Sequence, residues 1–313
     1  MLRHQLPSAN SLFTFEAVAR LRSFSEAARK LNVTQPAVSR SIKNLEAHLG
    51  YTLFKRHGRW IKLTPNGDKL FRATSTAFNT VTDALRDIDQ QEDRGETITI
   101  SMSPTAVNYW FIPRMSNFND RFPSVSLDFR MYSKDDDDPL HDIDLGIRLS
   151  HPEGTDLHRW PFSDEKILAV CSPEYLSIYG SLDKPKEGHT HTLIEQMDQR
   201  FTLDEFFHSI GLQTPEKASF TKFSNYSSIL QATIQGHGIA LAWMTDASKQ
   251  IVEGNLVPAC TQVVKTGRRY HIVASNLRPM RPVAEDMRDW LISEMRNDQK
   301  KVASILKSNW NLF

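Results

Sequence analysis

The stretch LNVTQPAVSRSIKNLEAHLG, residues 31–50, allows very few structures. At about 100° per residue, Val38, Ile42, Leu45 and Leu49 fall in one narrow stripe, as a core-facing helix requires. Pro36, Ser39, Arg40 and Lys43 gather on the opposite side, with Gln35 at the rim of the first turn. Thr34 is a natural N-cap, and Pro36 is tolerated in a first turn whose N–H groups have no helical partner. The pattern predicts a helix starting at Thr34, apolar inward, with a hydrogen-bonding and cationic face outward.

Its neighbours give that outer face a purpose. A helix is expected over about Ser8 to Arg20, with Leu12, Phe15 and Ala19 on one side. In SFSEAARKLN, Ser23 and Glu26 stand at capping-box spacing and start a second helix, which Asn32 and Val33 connect to the third. Two short helices joined by a tight turn, the second with a polar, cationic outer face, make a helix-turn-helix. The major groove of DNA accommodates one such helix, and residues near its N-terminus reach base edges.

YTLFKRHGRWIKLT follows, and residues 52–54 and 60–63 read as short strands turning at His57-Gly58. This is a wing in which Lys55, Arg56, Arg59 and Lys62 are placed for phosphates, or else a solvated hairpin. Thr64 and Pro65 then open a long helix. Leu70, Thr74, Ala77, Val81, Ala84 and Ile88 recur in alternating four- and three-residue steps, and Phe71, Phe78 and Leu85 widen the stripe. Such a face pairs with its twin in a dimer or packs on its own domain. Charge agrees with a polyanion partner. Residues 1–90 hold 14 lysines and arginines against 7 acids, whereas the remainder holds 24 against 30, an asymmetry hidden in an overall +1.

The run FEAVARLRSFSEAARKLNVTQPAVSRSIKNLEAHLGYTLFKRHGRWIKLTPNG resembles the signature of LysR-type transcriptional regulators. Its AA-x-x-L-x-V-T-Q-P-A-V-S core, the L-F-x-R and the LT-x-x-G are highly specific. FIPRMSNFNDRFP and LQATIQGHGIALA are most similar to the glycine-cleavage-activator-like branch. The resemblance implies DNA contacts at Gln35, Pro36, Ser39 and Arg40, at Arg56 in the wing and at Thr64 where the linker starts. With Thr34, Lys43 and Arg59 from the direct reading, these make up the expected DNA-binding set.

Beyond Glu96 the periodicity changes. TITISM, VSLDFRM and DIDLGIRL read as strands around one helix, TAVNYWFIPRMSNFNDRFP, which ends before Pro123. KILAVCS, TLIE, ASFTKFS, the helix YSSILQATIQG and GIALAW form a second set, before YHIVAS and the helix PVAEDMRDWLISEM return. Strand–helix alternation predicts parallel sheets, hence an α/β body. The expected class is multidomain α+β and α/β. A winged helix-turn-helix spans 1–63 and a linker and dimerisation helix 64–93. An effector-binding domain spans 94–303, with lobe I as 94–165 plus 268–303 and lobe II as 166–267, and a C-terminal tail follows over 304–313. The resemblance implies a periplasmic-binding-protein-like body with a ligand between the lobes.

Ligands in open α/β sheets sit beyond the carboxyl ends of strands, near helix N-termini. Ser103, Pro104 and Thr105 occupy such a strand end, as do Ser224, Asn225 and Ser227, and Arg148 with Ser150. Hydroxyls, an amide and N–H groups suit a small carboxylate-bearing metabolite, and Trp243 offers an aromatic wall. Ser103, Thr105 and Asn225 equally suit helix caps. Arg148 suits a surface ion pair better than a ligand clamp, and Trp243 a core position slightly better than a pocket wall. Asp135 to Asp138 read as a solvated loop, since four consecutive carboxylates cannot face one site, and the histidines at 189 and 191 as loop rather than metal ligands.

Catalysis is not expected. There is no phosphate-binding glycine loop, no H-E-x-x-H and no G-x-S-x-G, and the glycines of QGHGIA do not follow a strand. No cofactor or metal is implied beyond the effector. No run approaches the roughly 20 apolar residues of a membrane span. MLRHQLPSAN lacks an apolar signal core, and Cys171 and Cys260 stand apart, so a cytoplasmic protein is expected. Its expected partners are double-stranded promoter DNA, the effector and copies of itself as a dimer of dimers, with RNA polymerase added if it activates.

Overall fold

The computed structural model describes residues 6–57, 60–89, 96–132, 143–149, 157–197, 201–213, 217–276 and 279–309. The chain divides into two compact units. One is 1–94 with 275–279 and the other 95–274 with 280–313.

The first unit opens with three capped helices. α1 (Ala9–Leu21) starts where Ser8 Oγ accepts from Ser11 N at 3.2 Å. α2 (Phe24–Lys30) starts where Ser23 Oγ accepts from Glu26 N at 3.2 Å. Asn32, at φ 54°, turns the chain into α3 (Gln35–Leu49), which Thr34 caps and Gly50, at φ 78°, terminates. The expected stripe is the core. Val38, Ile42 and Leu45 pack with Phe15, Val18, Ala27 and Ala28. β1 (Phe54–His57) and β2 (Trp60–Leu63) pair antiparallel, with Phe54 opposite Leu63 and Lys55 opposite Lys62.

α4 (Pro65–Asp89) packs the start of its apolar stripe on its own unit, one of the two expected uses. Phe71, Thr74 and Ser75 are buried within the unit. Further along, Phe78 stacks on Phe13 with ring centroids 4.3 Å apart, and Val81 and Leu85 stand 59% and 57% exposed.

The second unit is built on one sheet. β3 (Glu96–Met102), β4 (Val125–Met131) and β5 (Leu145–Leu149) are parallel neighbours. β7 (Thr192–Gln196), β8 (Ser219–Phe223) and β9 (Ile239–Trp243) form a second parallel set. Between them run the long strands β6 (Leu157–Cys171) and β11 (Val264–Ser275), giving the order β4-β3-β5-β11-β6-β9-β7-β8, and β10 (Val257–Pro258) pairs with β6. The near-continuous apolar runs of β5 and β9 follow from burial on both faces.

Helices cover the sheet. The expected helix after β3 is broken into α5 (Pro104–Ala106), a π turn (Val107–Phe111), a 3-10 turn (Ile112–Arg114) and α6 (Met115–Arg121). Pro113 has no N–H to continue an α-helical ladder, which accounts for the 3-10 segment. α9 (Tyr226–Ile234) lies where expected. α7 (Pro173–Tyr179), α8 (Leu203–Ser209) and α10 (Met244–Val252) were not anticipated. The caps of α7 and α8 were readable, since Ser172 accepts from Tyr175 N and Thr202 with Glu205 completes a capping box, whereas α10 starts without a side-chain cap.

α11 (Pro282–Asn309) corrects the expected C-terminal tail. Ala284, Met287, Leu291 and Met295 pack on the core of Ile98, Ile100, Trp110 and Phe111. Val302, Ile305 and Leu306 then continue the stripe onto Leu168, Val170, Leu230 and Ala247. The helix persists past 303 because this last apolar turn has its own surface to bury.

Candidate functional site

The outer face of α3 carries the expected groups. Gln35, Pro36, Arg40 and Lys43 are exposed and Ser39 half-exposed. Thr34 is exposed too, with its hydroxyl accepting from Ala37 N at 3.4 Å. Lys55 and Lys62 are exposed and directly opposed in the wing. Arg59 and the side chain of Arg56 lie outside the described residues. Thr64 is placed differently from expectation. It is 6% exposed, donates its hydroxyl to Thr52 O at 2.8 Å and accepts from Gly67 N at 3.0 Å. Its hydroxyl holds the wing to α4 and is not presented outward.

In the second unit, the ends of the two parallel sets come together. Ser103 caps α5, accepting from Ala106 N at 3.1 Å, and donates to Asp246 Oδ1 on α10 at 3.3 Å. Pro104 occupies the first turn, half-exposed. Thr105 Oγ1 and Ser227 Oγ are 3.2 Å apart. Tyr109, one turn on from Thr105, donates to Ser227 O at 3.0 Å, with Gln231 Oε1 at 3.2 Å. Of the strand-end groups expected from sequence, Thr105 and Ser227 thus meet from two distant turns of chain, with Ser103 and Pro104 in the same turn as Thr105.

The other candidates take distinct roles. Asn225 caps α9, accepting from Ser228 N at 2.8 Å, and both it and Ser224 are exposed. Trp243 is half-buried. Its indole N–H donates to Glu165 Oε1 at 2.9 Å and its ring meets Tyr226 edge-on. Arg148 is no surface ion-pair residue. It is fully buried, donating to Ser101 O, Ser101 Oγ and Ile147 O, with its guanidinium 3.9 Å from the Tyr132 ring centroid. Ser150 and the Asp135–Asp138 run lie outside the described residues.

Sequence reasoning missed two carboxylates. Asp246 enters beside Ser103, and Glu165, 1% exposed, accepts from Trp243, Thr266 and Arg268. Burial, to which the Asp246 charge adds, holds the Tyr226 and Tyr270 phenols well above their ordinary range, so both stay neutral donors. The only hint of Asp246 was an acid in the first turn after GIALAW. Among the described residues no group of three or more His, Cys, Asp or Glu is placed to hold a metal. No helix there is long and apolar enough to cross a membrane.

A cationic recognition helix with a wing, in a chain that also carries two parallel α/β halves meeting at a polar junction, defines a DNA-binding protein with a small-molecule-responsive domain. Residues 9–68 match the family model for the bacterial regulatory helix-turn-helix protein, lysR family, and residues 91–296 match the LysR substrate binding domain. The chain belongs to the LysR family of transcriptional regulators, which are not enzymes. It is similar to the glycine cleavage system transcriptional activator of Escherichia coli K12, 30% identical over 297 residues that cover 95% of this chain and 97% of that one. Its fold is similar to ArgP from Mycobacterium tuberculosis, with a TM-score of 0.57 at 20% identity, covering 93% and 98% of the two chains. LysG from Corynebacterium glutamicum with bound effector Arg gives 0.56 at 17% identity, covering 93% and 99%.

Proposed function

We propose that this regulator answers to a small carboxylate-bearing metabolite held between the two halves of its effector-binding domain, and controls neighbouring metabolic genes. The observation that carries the reading is the Thr105–Ser227 hydroxyl pair spanning the halves. Hydroxyls are donors that a carboxylate accepts from without a full countercharge. Ser103, Pro104, Asn225 and Trp243 border the same junction. Arg148, bonded to Ser101 near the end of β3, is a buried positive charge in the first half.

On the DNA side, Gln35, Pro36, Ser39, Arg40 and Lys43 face bases and adjoining backbone, while Lys55, Lys62 and their wing neighbours face phosphate. Like charges placed directly opposite in a strand pair are unfavourable, and an anion against them relieves the cost. Dimers pair through the exposed part of α4, where Val81 and Leu85 lie uncovered. Two dimers associate through effector domains into a tetramer on bent promoter DNA, with RNA polymerase as a further partner if the protein activates. Effector entry alters the angle between lobes, which requires different affinity for two shapes of the assembly.

A gel shift on the promoter beside its own gene, with and without metabolites, tests the reading. A thermal-shift screen of carboxylate metabolites, amino acids and quaternary amines names the effector. Equal binding to scrambled duplex under all conditions, or stabilisation only by ligands lacking a carboxylate, overturns the corresponding half.

A further inference from the structure

We propose that Glu46 is a positioning residue for DNA reading. It locks the base of the wing to the recognition helix, so that base-facing and phosphate-facing groups keep one register. Its Oε1 accepts from Leu53 N at 2.7 Å and from Phe54 N at 3.2 Å. Phe54 is the first residue of β1, so the grip falls where the wing begins. From the other side, Thr64 N donates to Leu53 O at 2.9 Å and Thr64 Oγ1 to Thr52 O at 2.8 Å. Residues 52–54 are thereby held between the last turn of α3 and the first of α4. The α4 side also holds through shape, because a Cβ on Gly67 would lie 2.1 Å from Leu53 O. On the α3 side, Glu46 supplies the grip.

Helix integrity does not call for this carboxylate. The last turn of α3 is closed by backbone, with Gly50 N donating to Glu46 O at 2.9 Å. The inward stripe of Val38, Ile42 and Leu45 packs without it. A negative charge in a basic DNA-binding segment is also unfavourable to phosphate contact by itself. Charge and geometry therefore predict opposite signs for its removal, which makes the role measurable.

The proposal rests on the wing meeting phosphate, and the experiment separates the two ideas. Full-length protein is titrated with a random-sequence duplex of about 40 base pairs, and the slope of log K against log salt is measured between roughly 50 and 300 mM KCl. K55A/K62A should lower the slope magnitude by about 2, and E46A by about 1–2 with roughly tenfold weaker binding. E46Q loses the charge but keeps the acceptor, and should bind at least as tightly as the parent. E46A added to K55A/K62A should cost less than E46A does alone, because both act through the wing.

A K55A/K62A slope equal to the parent's overturns the wing reading and this proposal with it. A reduced K55A/K62A slope beside an E46A slope and affinity at or above the parent's overturns the proposal alone. So does an E46A that has lost its helical circular dichroism, which makes Glu46 a determinant of stability, or an E46A cost that adds in full to K55A/K62A.

Discussion

Thr105 Oγ1 and Ser227 Oγ lie 3.2 Å apart although 122 positions separate them in the chain. One belongs to the first turn after β3 and the other to the first turn of α9. An effector held at the proposed site would meet or replace this contact. Thr105→Val keeps the shape and removes the donor. Effector affinity should fall about tenfold, the value of one hydrogen bond, while promoter affinity stays at the parent's level. Calorimetry with the screened effector checks this, and an unchanged ligand affinity counts against the site.

Arg40 stands exposed on the outer face of α3. Arg40→Ala should weaken promoter binding by about 1–3 kcal/mol, with a smaller loss on random duplex, as expected when a base-reading contact goes. Equal losses on both duplexes would reassign Arg40 to backbone positioning.

Gly67 is a steric requirement. A methyl there would meet Leu53 O at 2.1 Å and Leu63 Cδ2 at 3.0 Å, so the wing base must move away from α4. Gly67→Ala should destabilise the DNA-binding unit by about 1–3 kcal/mol, in the usual range for overpacking. Thermal unfolding reads it directly, and a parent-like transition would show that the wing relaxes freely.

Asp298 gathers the buried polar groups under α11. It accepts from Trp110 Nε1 at 3.1 Å, from Ser248 Oγ at 2.7 Å and from Arg114 Nη2. Arg114 is also bonded to Trp110 O and Glu294. Asp298→Ala leaves that guanidinium buried with less compensation and should cost about 3–5 kcal/mol in urea unfolding. Ser248→Ala removes one donor and should cost about 1 kcal/mol. If the two substitutions cost the same, the charge is not what Asp298 supplies.

His191 is 6% exposed, and burial holds its imidazole below its ordinary range. The unfolded chain therefore takes up the proton more readily than the folded one. The stability His191 contributes is complete above about pH 6.5, the unfolded value, and drains as pH falls below it. Melting temperatures from pH 8 to about 5 should decline less steeply in His191→Gln than in the parent. Parallel profiles would mean that other groups dominate the acid limb.

Much of the DNA-binding unit was legible because its information is local. Helix periodicity states which side of α3 loses water, and the caps at Ser8, Ser23 and Thr34 mark starts within one turn. Thr64 shows the limit of that reading. Its outward role was implied by resemblance, yet the return of the chain past residues 52–53 draws the hydroxyl inward. That Thr105 and Ser227 lie at strand ends was legible for a similar reason, since the end of a parallel strand is where free N–H groups collect.

By itself the sequence determined the faces, caps and element types, because desolvation and backbone hydrogen bonding act over a few residues. Only the tertiary structure decided which distant groups meet. Ser103 finds Asp246 143 positions away, and Trp243 finds Glu165 78 positions away. Those pairings depend on how β6 and β11 carry the chain between the two parallel sets. No local pattern encodes that path, because the free energy that selects it comes from packing the entire sheet.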